Sequence, residues 1–363
     1  MRRRILVVVL IVAAGIWGLS ARASHDVLAQ DTAELPLDTP AEVPSSENAS
    51  IIEPEPVPVP DVTPVAGEAV MAAPASLPEP LYLSEPAIAK QWALNKMEIP
   101  RLWGVTTGSD RVTVAVLDTG IDTNHEDLEG QVSAEANFTD SPIADSHGHG
   151  THIAGIIAAL DNGRGIVGIA PGCSLLNVKV ADDTGRCSAG ALAEGITWAV
   201  NNGASVINVS VEIREASSRL EQAVRYAWDH DVLIVAAAGN DGGSSPVYPA
   251  AYDSSLAVAA TDPDDSLAQL SNHADWVDVA APGADIYSTL PDNEYGYKSG
   301  TSFACAYVSG IAALLYSVAT DTNGDGRLVD EVVKAIEAGC DKLDLGGVGQ
   351  GRVNATQILS QLQ

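Results

Sequence analysis

The chain is expected to fold as an α/β protein, with a mostly parallel central sheet and helices on both faces. Three observations support this. Short apolar runs rich in β-branched residues recur along residues 81–363, helix-length segments stand between them, and 46% of the chain is hydrophobic, enough for a large core. Val112–Leu117, Leu176–Val180, Val206–Val209 and Val232–Ala236 read as buried strands by their shortness and their content of β-branched residues. Thr151–Leu160, Ala189–Asn201 and Ser218–Trp228 read as the helices that cross from one strand to the next. In such sheets, ligands are bound at the carboxyl ends of the strands.

Ahead of this pattern the composition differs. Arg2, Arg3 and Arg4 precede an apolar run from Ile5 to Leu19, and Ala21-Arg22-Ala23 offers a small-x-small cleavage site. Residues 1–23 therefore read as an export signal, and the protein as secreted. The apolar run is short for a membrane span, which needs about 20 residues. No stable span is expected once the signal is removed, an uncleaved anchor being the alternative. Residues 24–80 are rich in proline and glutamate, as in Glu53-Pro54-Glu55-Pro56, and no Lys or Arg occurs between Asp31 and Ala89. Such a stretch buries too little apolar surface to offset its ordering entropy, so it reads as an extended linker or pro-segment. Residues 81–363 form the globular domain, expected to be a monomer.

Acidic residues outnumber basic ones 48 to 19, for a formal charge of −29. That balance argues against nucleic-acid binding, which needs a basic surface. The four cysteines, Cys173, Cys187, Cys305 and Cys340, are too few for a disulfide scaffold. They allow three full pairings, or free thiols.

Four short segments carry chemistry. Asp118 closes the first strand and is followed by Thr119-Gly120, which leaves its carboxylate at the sheet edge. His149 lies in His147-Gly148-His149-Gly150-Thr151-His152. Three histidines so close suggest a metal, but the glycines are expected to interrupt the helical spacing that paired ligands would use. Core or capping roles fit His147 and His152 better. Ser302, in Gly300-Thr301-Ser302, precedes an apolar run and so stands near a helix N-terminus, where free N–H groups favour negative charge. Asn240 follows Ala237-Ala238-Gly239 at a strand end, where its amide could donate to an oxyanion. Each segment alone has a bland reading, a strand-end Asp or an N-cap Ser. Together, in the order Asp, His, Ser, they do not.

These segments resemble the subtilisin-like serine peptidases, thermitase-like members most of all. The resemblance runs through residues 85–363 and includes Gln91-Trp92-Ala93-Leu94, Val279-Ala280-Ala281-Pro282-Gly283 and Gly351-Arg352-Val353-Asn354-Ala355. It implies the three-layer subtilisin-like fold and a secreted endopeptidase acting on protein or peptide substrates. Asp118, His149 and Ser302 would form its triad, and Asn240 its oxyanion donor. Gly185, Ser210, Glu212 and Gly239 would line the substrate cleft, and the Tyr248–Pro249 bond would be cis. The resemblance also implies a structural Ca²⁺, held by Glu85, Asp127, Asn162 and the carbonyls of Leu160, Arg164 and Ile166.

The sequence departs from the family in places. Phe303 and Cys305 replace the residues usual after the serine, with Cys305 expected to be a buried small hydrophobe. Ser210-Val211-Glu212-Ile213 stands where the family has small residues, and Val247 where a smaller one is common. Glu212 is expected either to favour Lys or Arg before the cleaved bond or to turn out into water. Gly185-Arg186-Cys187 differs on the opposite edge. Residues 30–80 lack the family's folded pro-region. Asp321-Thr322-Asn323-Gly324-Asp325-Gly326 begins like a calcium loop, but its twelfth position is Val332, so an acidic turn is the simpler expectation. A catalytically silent binding module on the same fold is the competing function.

Overall fold

A computed structural model of the chain describes residues 79–361. The expected leader (1–23), all but the last two residues of the linker (24–80) and the final two residues of the chain lie outside the described residues.

Among the described residues, nine strands form one sheet. In chain order they are β1 (Thr113–Asp118), β2 (Val132–Asn137), β3 (Ser174–Lys179), β4 (Val206–Val209), β5 (Leu233–Ala237), β6 (Ser255–Thr261) and β7 (Val279–Pro282), then β10 (Cys340–Asp341) and β11 (Arg352–Val353). The spatial order is β10-β11-β7-β6-β5-β4-β1-β3-β2, and every pairing but β10–β11 is parallel. A separate hairpin joins β8 (Ile286–Leu290) to β9 (Glu294–Lys298). The helices are α1 (Trp92–Lys96), α2 (Ile99–Trp103), α3 (His149–Ala158), α4 (Ala189–Asn201), α5 (Ser218–Asp229), α6 (Thr301–Tyr316), α7 (Val329–Ala338) and α8 (Ala355–Gln361).

The period-2 alternation of each strand sorts its side chains into two cores, giving three layers. Val114 and Val116 of β1 join Leu233 and Val235 of β5 in the core under α3 and α6. Ala115 and Leu117 join Ile234 and Ala236 in the core under α4 and α5. Helix α6 is buried along fifteen of its sixteen residues, because it lies on the sheet and is covered in turn by α3 and α7. Helix α5 is amphipathic, and only Leu220, Ala223, Val224 and Ala227 are buried.

The expected strands and helices fall within two residues of their observed limits. The informative difference is at α3, which begins at His149 rather than Thr151 because Gly150 does not break it. A Cβ at Gly150 would stand 2.1 Å from the Gly120 carbonyl oxygen, so glycine lets the helix start against the end of β1. All four cysteines are free. Cys305 is buried in α6, its thiol pushed up to about 12 by burial, and bonds to the Asn208 side chain at 3.2 Å. The Tyr248–Pro249 bond is cis, as the resemblance implies.

Candidate active site

The site is assembled at the carboxyl ends of β1, β4 and β5, neighbours in the sheet. Asp118 is the last residue of β1 and is fully buried. Its Oδ1 accepts the Thr119 N–H at 2.8 Å and stands 2.7 Å from His149 Nδ1. Its Oδ2 is buried with no hydrogen-bond partner among the described residues, so His149 is the main counter-group to this carboxylate. Burial alone would hold the His149 imidazole below its ordinary value. The charge and hydrogen bond of Asp118 outweigh that and raise it.

Ser302 is the second residue of α6, whose buried first turn leaves N–H groups without intrahelical partners. Its hydroxyl donates to the Ser210 carbonyl at 3.3 Å, and the Ser210 hydroxyl donates to the Ser302 carbonyl at 3.1 Å. No hydrogen bond joins Ser302 to His149 in this resting arrangement. Asn240 follows β5, and its Oδ1 accepts from the Thr301 N–H at 2.9 Å and the Thr301 hydroxyl at 3.1 Å. Those bonds occupy the carbonyl end of the side chain and leave its NH₂ to donate. Asp118, His149, Asn240 and Ser302 line one cavity of ≈ 350 Å³, with Gly185, Ser210, Glu212 and Gly239 around them.

Residues that the sequence reading passed over hold this arrangement. Buried Asp145 accepts from Thr119 Oγ1 at 2.9 Å, from the His147 and Gly148 N–H groups, and from Thr151 N at 2.9 Å and Oγ1 at 2.7 Å. It thereby ties the turn after β1 to the start of α3. Lys179, fully buried at the end of β3, donates to the Thr119 carbonyl and pairs with Asp183 at 2.8 Å. Lys298 of β9 donates to the Gly148 carbonyl at 3.1 Å, one residue before His149. An acidic residue four positions before His149 was a possible capping signal; the two lysines left none, because their roles depend on tertiary contact.

His149 and His152 both lie in α3, contrary to the expectation that glycines interrupt the helix there. They point to different partners. His152 Nε2 meets the Gly296 carbonyl at 3.2 Å, and its ring packs 4.6 Å from Phe303. Burial pushes its pKa down to about 3, so it stays neutral, in the core role expected for it. His147 lines the cavity, its ring edge-on to His149 at 6.2 Å.

The model of the subtilase family matches residues 109–337. The chain belongs to the subtilase family. It is 43% identical to thermitase of Thermoactinomyces vulgaris over 272 residues, 74% of this chain and 95% of thermitase. It is 43% identical to a thermophilic serine proteinase of Bacillus sp. (strain AK1) over 258 residues, 70% of this chain and 63% of that protein. Against subtilisin BL of Lederbergia lenta, identity is 42% over 224 residues, 62% of this chain and 83% of subtilisin BL.

This subtilase also carries an acidic centre away from the cleft. Asp127 is fully buried; its Oδ2 accepts from Ile166 N at 2.9 Å and Tyr295 Oη at 2.8 Å, and its Oδ1 from Asn162 Nδ2 at 3.3 Å. Glu85 is 3% exposed; its Oε1 accepts the Gly163 N–H at 2.9 Å, while Oε2 is buried with no hydrogen-bond partner among the described residues. Burial raises both carboxyls above their ordinary values. The 160–166 loop, with Leu160, Asn162, Arg164 and Ile166, wraps these two groups. Among the described residues no three His, Cys, Asp or Glu side chains form a metal-ligating cluster. An ion here would therefore draw on two carboxylates, an amide and main-chain carbonyls. That is hard-oxygen chemistry, and the orphaned Glu85 oxygen fits it. At the second acidic loop, Asp321 accepts from Gly324 N at 2.6 Å and Gly326 N at 2.8 Å in an exposed turn held by its own backbone.

Proposed function

We propose that this serine endopeptidase of the subtilase family cleaves peptide bonds with Ser302 as nucleophile, His149 as general base and acid, and Asp118 as the group that orients the imidazole. The observation that carries the reading is the 2.7 Å Asp118–His149 contact, made in the same cavity as a serine at a helix N-terminus.

A serine hydroxyl is a weak nucleophile at its own pKa. The Ser302 side chain turns from the Ser210 carbonyl to His149 Nε2 and gives up its proton as Oγ attacks the peptide carbonyl. Asp118 fixes the tautomer with the proton on Nδ1 and stabilises the imidazolium. The Asn240 NH₂ and the Ser302 N–H donate to the oxygen on which charge develops. His149 then protonates the leaving amine, and water repeats the sequence on the acyl-enzyme. Gly185 and the segments around Ser210, Glu212 and Gly239 hold the substrate on either side of the cavity.

A bound Ca²⁺ would supply positive charge to Glu85 and Asp127, with Asn162 and the carbonyls of Leu160, Arg164 and Ile166 as further ligands. Its role is stability, since these groups lie outside the catalytic cavity. Residues 1–23 act as the export signal, residues 24–80 as a linker or pro-segment, and residues 81–363 as the peptidase domain of a secreted monomer. Among the described residues no helix is long and apolar enough to cross a membrane.

The test is active-site labelling. A fluorophosphonate should label Ser302 and abolish casein hydrolysis, and Ser302→Ala should neither label nor cleave. Peptidase activity surviving in Ser302→Ala would remove the assignment.

A further inference from the structure

The substrate residue whose carbonyl is attacked (P1) must place its side chain beside Ser302 and Asn240. The cavity there lies between two walls, Ser210–Glu212 and Gly239–Asp241. Glu212 reaches from one wall to the other. Its Oε2 would stand only 2.7 Å from a Cβ on Gly239, so the carboxylate rests on the bare glycine backbone, which also has a φ of +95°. The Glu212 side chain is 30% exposed. It is neither withdrawn into the core nor turned out into water, the second of the two expectations drawn from the sequence. Val247, 2% exposed, closes the space beside Gly239.

The counter-ion is of a different kind. Arg214 lies 3.3 Å from Glu212 Oε1 and 2.9 Å from Asp241 Oδ2. Its own side chain is 68% exposed and anchored only at its tip to these two carboxylates, so little holds it in place. Two carboxylates thus share one solvated guanidinium at the cavity, leaving a net charge of −1. Burial and the Asp241 charge raise the Glu212 carboxyl, and Arg214 lowers it.

We propose that Glu212, seconded by Asp241, selects a Lys or Arg side chain at P1, and that Arg214 is a resident counter-ion which the substrate cation displaces. The proposal rests on Ser302 being the nucleophile of this cavity. An apolar P1 side chain would exclude water from Glu212 and give it no new partner, a cost the enzyme's ground state does not carry. A cationic one replaces that water with a charge-assisted hydrogen bond. Arg214 can return to Asp241 and to solvent when it leaves Glu212.

The experiment has two arms. In the first, kcat/KM is measured on matched peptides with Arg, Lys, Leu, Phe or Glu at P1. Wild type should favour Arg and Lys over Leu and Phe by tenfold or more. Glu212→Gln, which keeps the shape and removes the charge, should cut that ratio at least tenfold. Arg214→Gln should raise kcat/KM for basic P1 severalfold, mainly through KM. In the second arm, benzamidine is titrated calorimetrically into Ser302→Ala, and binding should weaken at least fivefold on adding Glu212→Gln. A wild-type preference for Leu or Phe, unchanged in Glu212→Gln, overturns the proposal. So does a preference for Glu that vanishes in Arg214→Gln, which would make the guanidinium the selector. Benzamidine binding needs no catalysis, so it reads the Glu212 site even if fluorophosphonate labelling were to displace Ser302 as nucleophile.

Discussion

Two fully buried aspartates, Asp118 and Asp127, solve the same problem differently. Asp118 has a protein partner on its charge, the His149 ring at 2.7 Å. Asp127 has neutral donors, Ile166 N–H, Tyr295 and Asn162, and its charge, with that of Asp161, presses on a second buried carboxyl, Glu85. At the first centre the opposite charge can come and go within the protein, as the imidazole takes and releases a proton. At the second, burial outweighs the neutral donors and the His125 charge, and both carboxyls are held above their ordinary values. The lesson is that burial of an acid marks function only with its partners. A titratable partner points to catalysis, and an unmatched pair of acids points to an ion.

Removing each charge in turn separates the two centres. Asp118→Asn should keep the fold and lower kcat roughly 10⁴-fold, because an amide favours the wrong imidazole tautomer. Asp127→Asn should leave kcat near wild type and lower the melting temperature. If steady-state kinetics and thermal melts show the two losses exchanged, the division of roles fails.

Removing the ion is the next largest effect. At a free Ca²⁺ concentration of 100 Kd, binding stabilises the fold by about 2.7 kcal/mol. For a domain of this size that corresponds to roughly 4–5 °C in melting temperature on adding EDTA. The pH dependence has a definite sign. With folded-state values raised, Glu85 and Asp127 hold protons in the folded form that they release on unfolding. In EDTA their contribution to stability therefore falls as pH rises through and above the ordinary carboxylate range. Calcium favours the charged forms, so the gap between melts with Ca²⁺ and with EDTA should be small near pH 4 and widen towards pH 8. A gap that is absent at every pH refutes the calcium site.

The smallest effect concerns the catalytic centre alone. A raised His149 value places the acid limb of kcat/KM above the ordinary histidine value of 6.5, since the base must be neutral to accept a proton. Lys298, with its ammonium bonded to the Gly148 carbonyl, opposes that shift, whereas Asp118 and Asp145 support it. Lys298→Met should therefore move the limb further up by a fraction of a pH unit. A downward move would mean that another group sets the limb.

Much of this was legible in the sequence, for physical reasons. Val206–Val209 is a strand over those residues, because three of its four positions (Val206, Ile207 and Val209) are β-branched aliphatics and all four are buried. Ser302 could be placed at a helix start because a glycine and a threonine precede an apolar run. What escaped were contacts through space that no motif marks. Tyr295 reaches Asp127 across 168 positions, and Arg214 reaches Asp241 across 27. The first turn of α3 escaped for the opposite reason: Gly150 reads locally as a breaker, and only its contact with Gly120 explains why it sits inside a helix.

Glu212, lying across the cavity on Gly239, also bears on how the enzyme survives its own activity. A protease at working concentration meets copies of itself more often than many substrates. If each cut needs a basic residue at P1, vulnerability to self-digestion is written in the distribution of Lys and Arg, which together number only 19 in 363 residues. The acidic, proline-rich stretch from Asp31 to Ala89 has none, so its sequence offers no bond to cut. The first basic residue after it is Lys90, whose ammonium is held by Tyr287 at 3.0 Å and whose neighbour Gln91 is buried. Substrate choice and self-preservation would then follow from the same carboxylate.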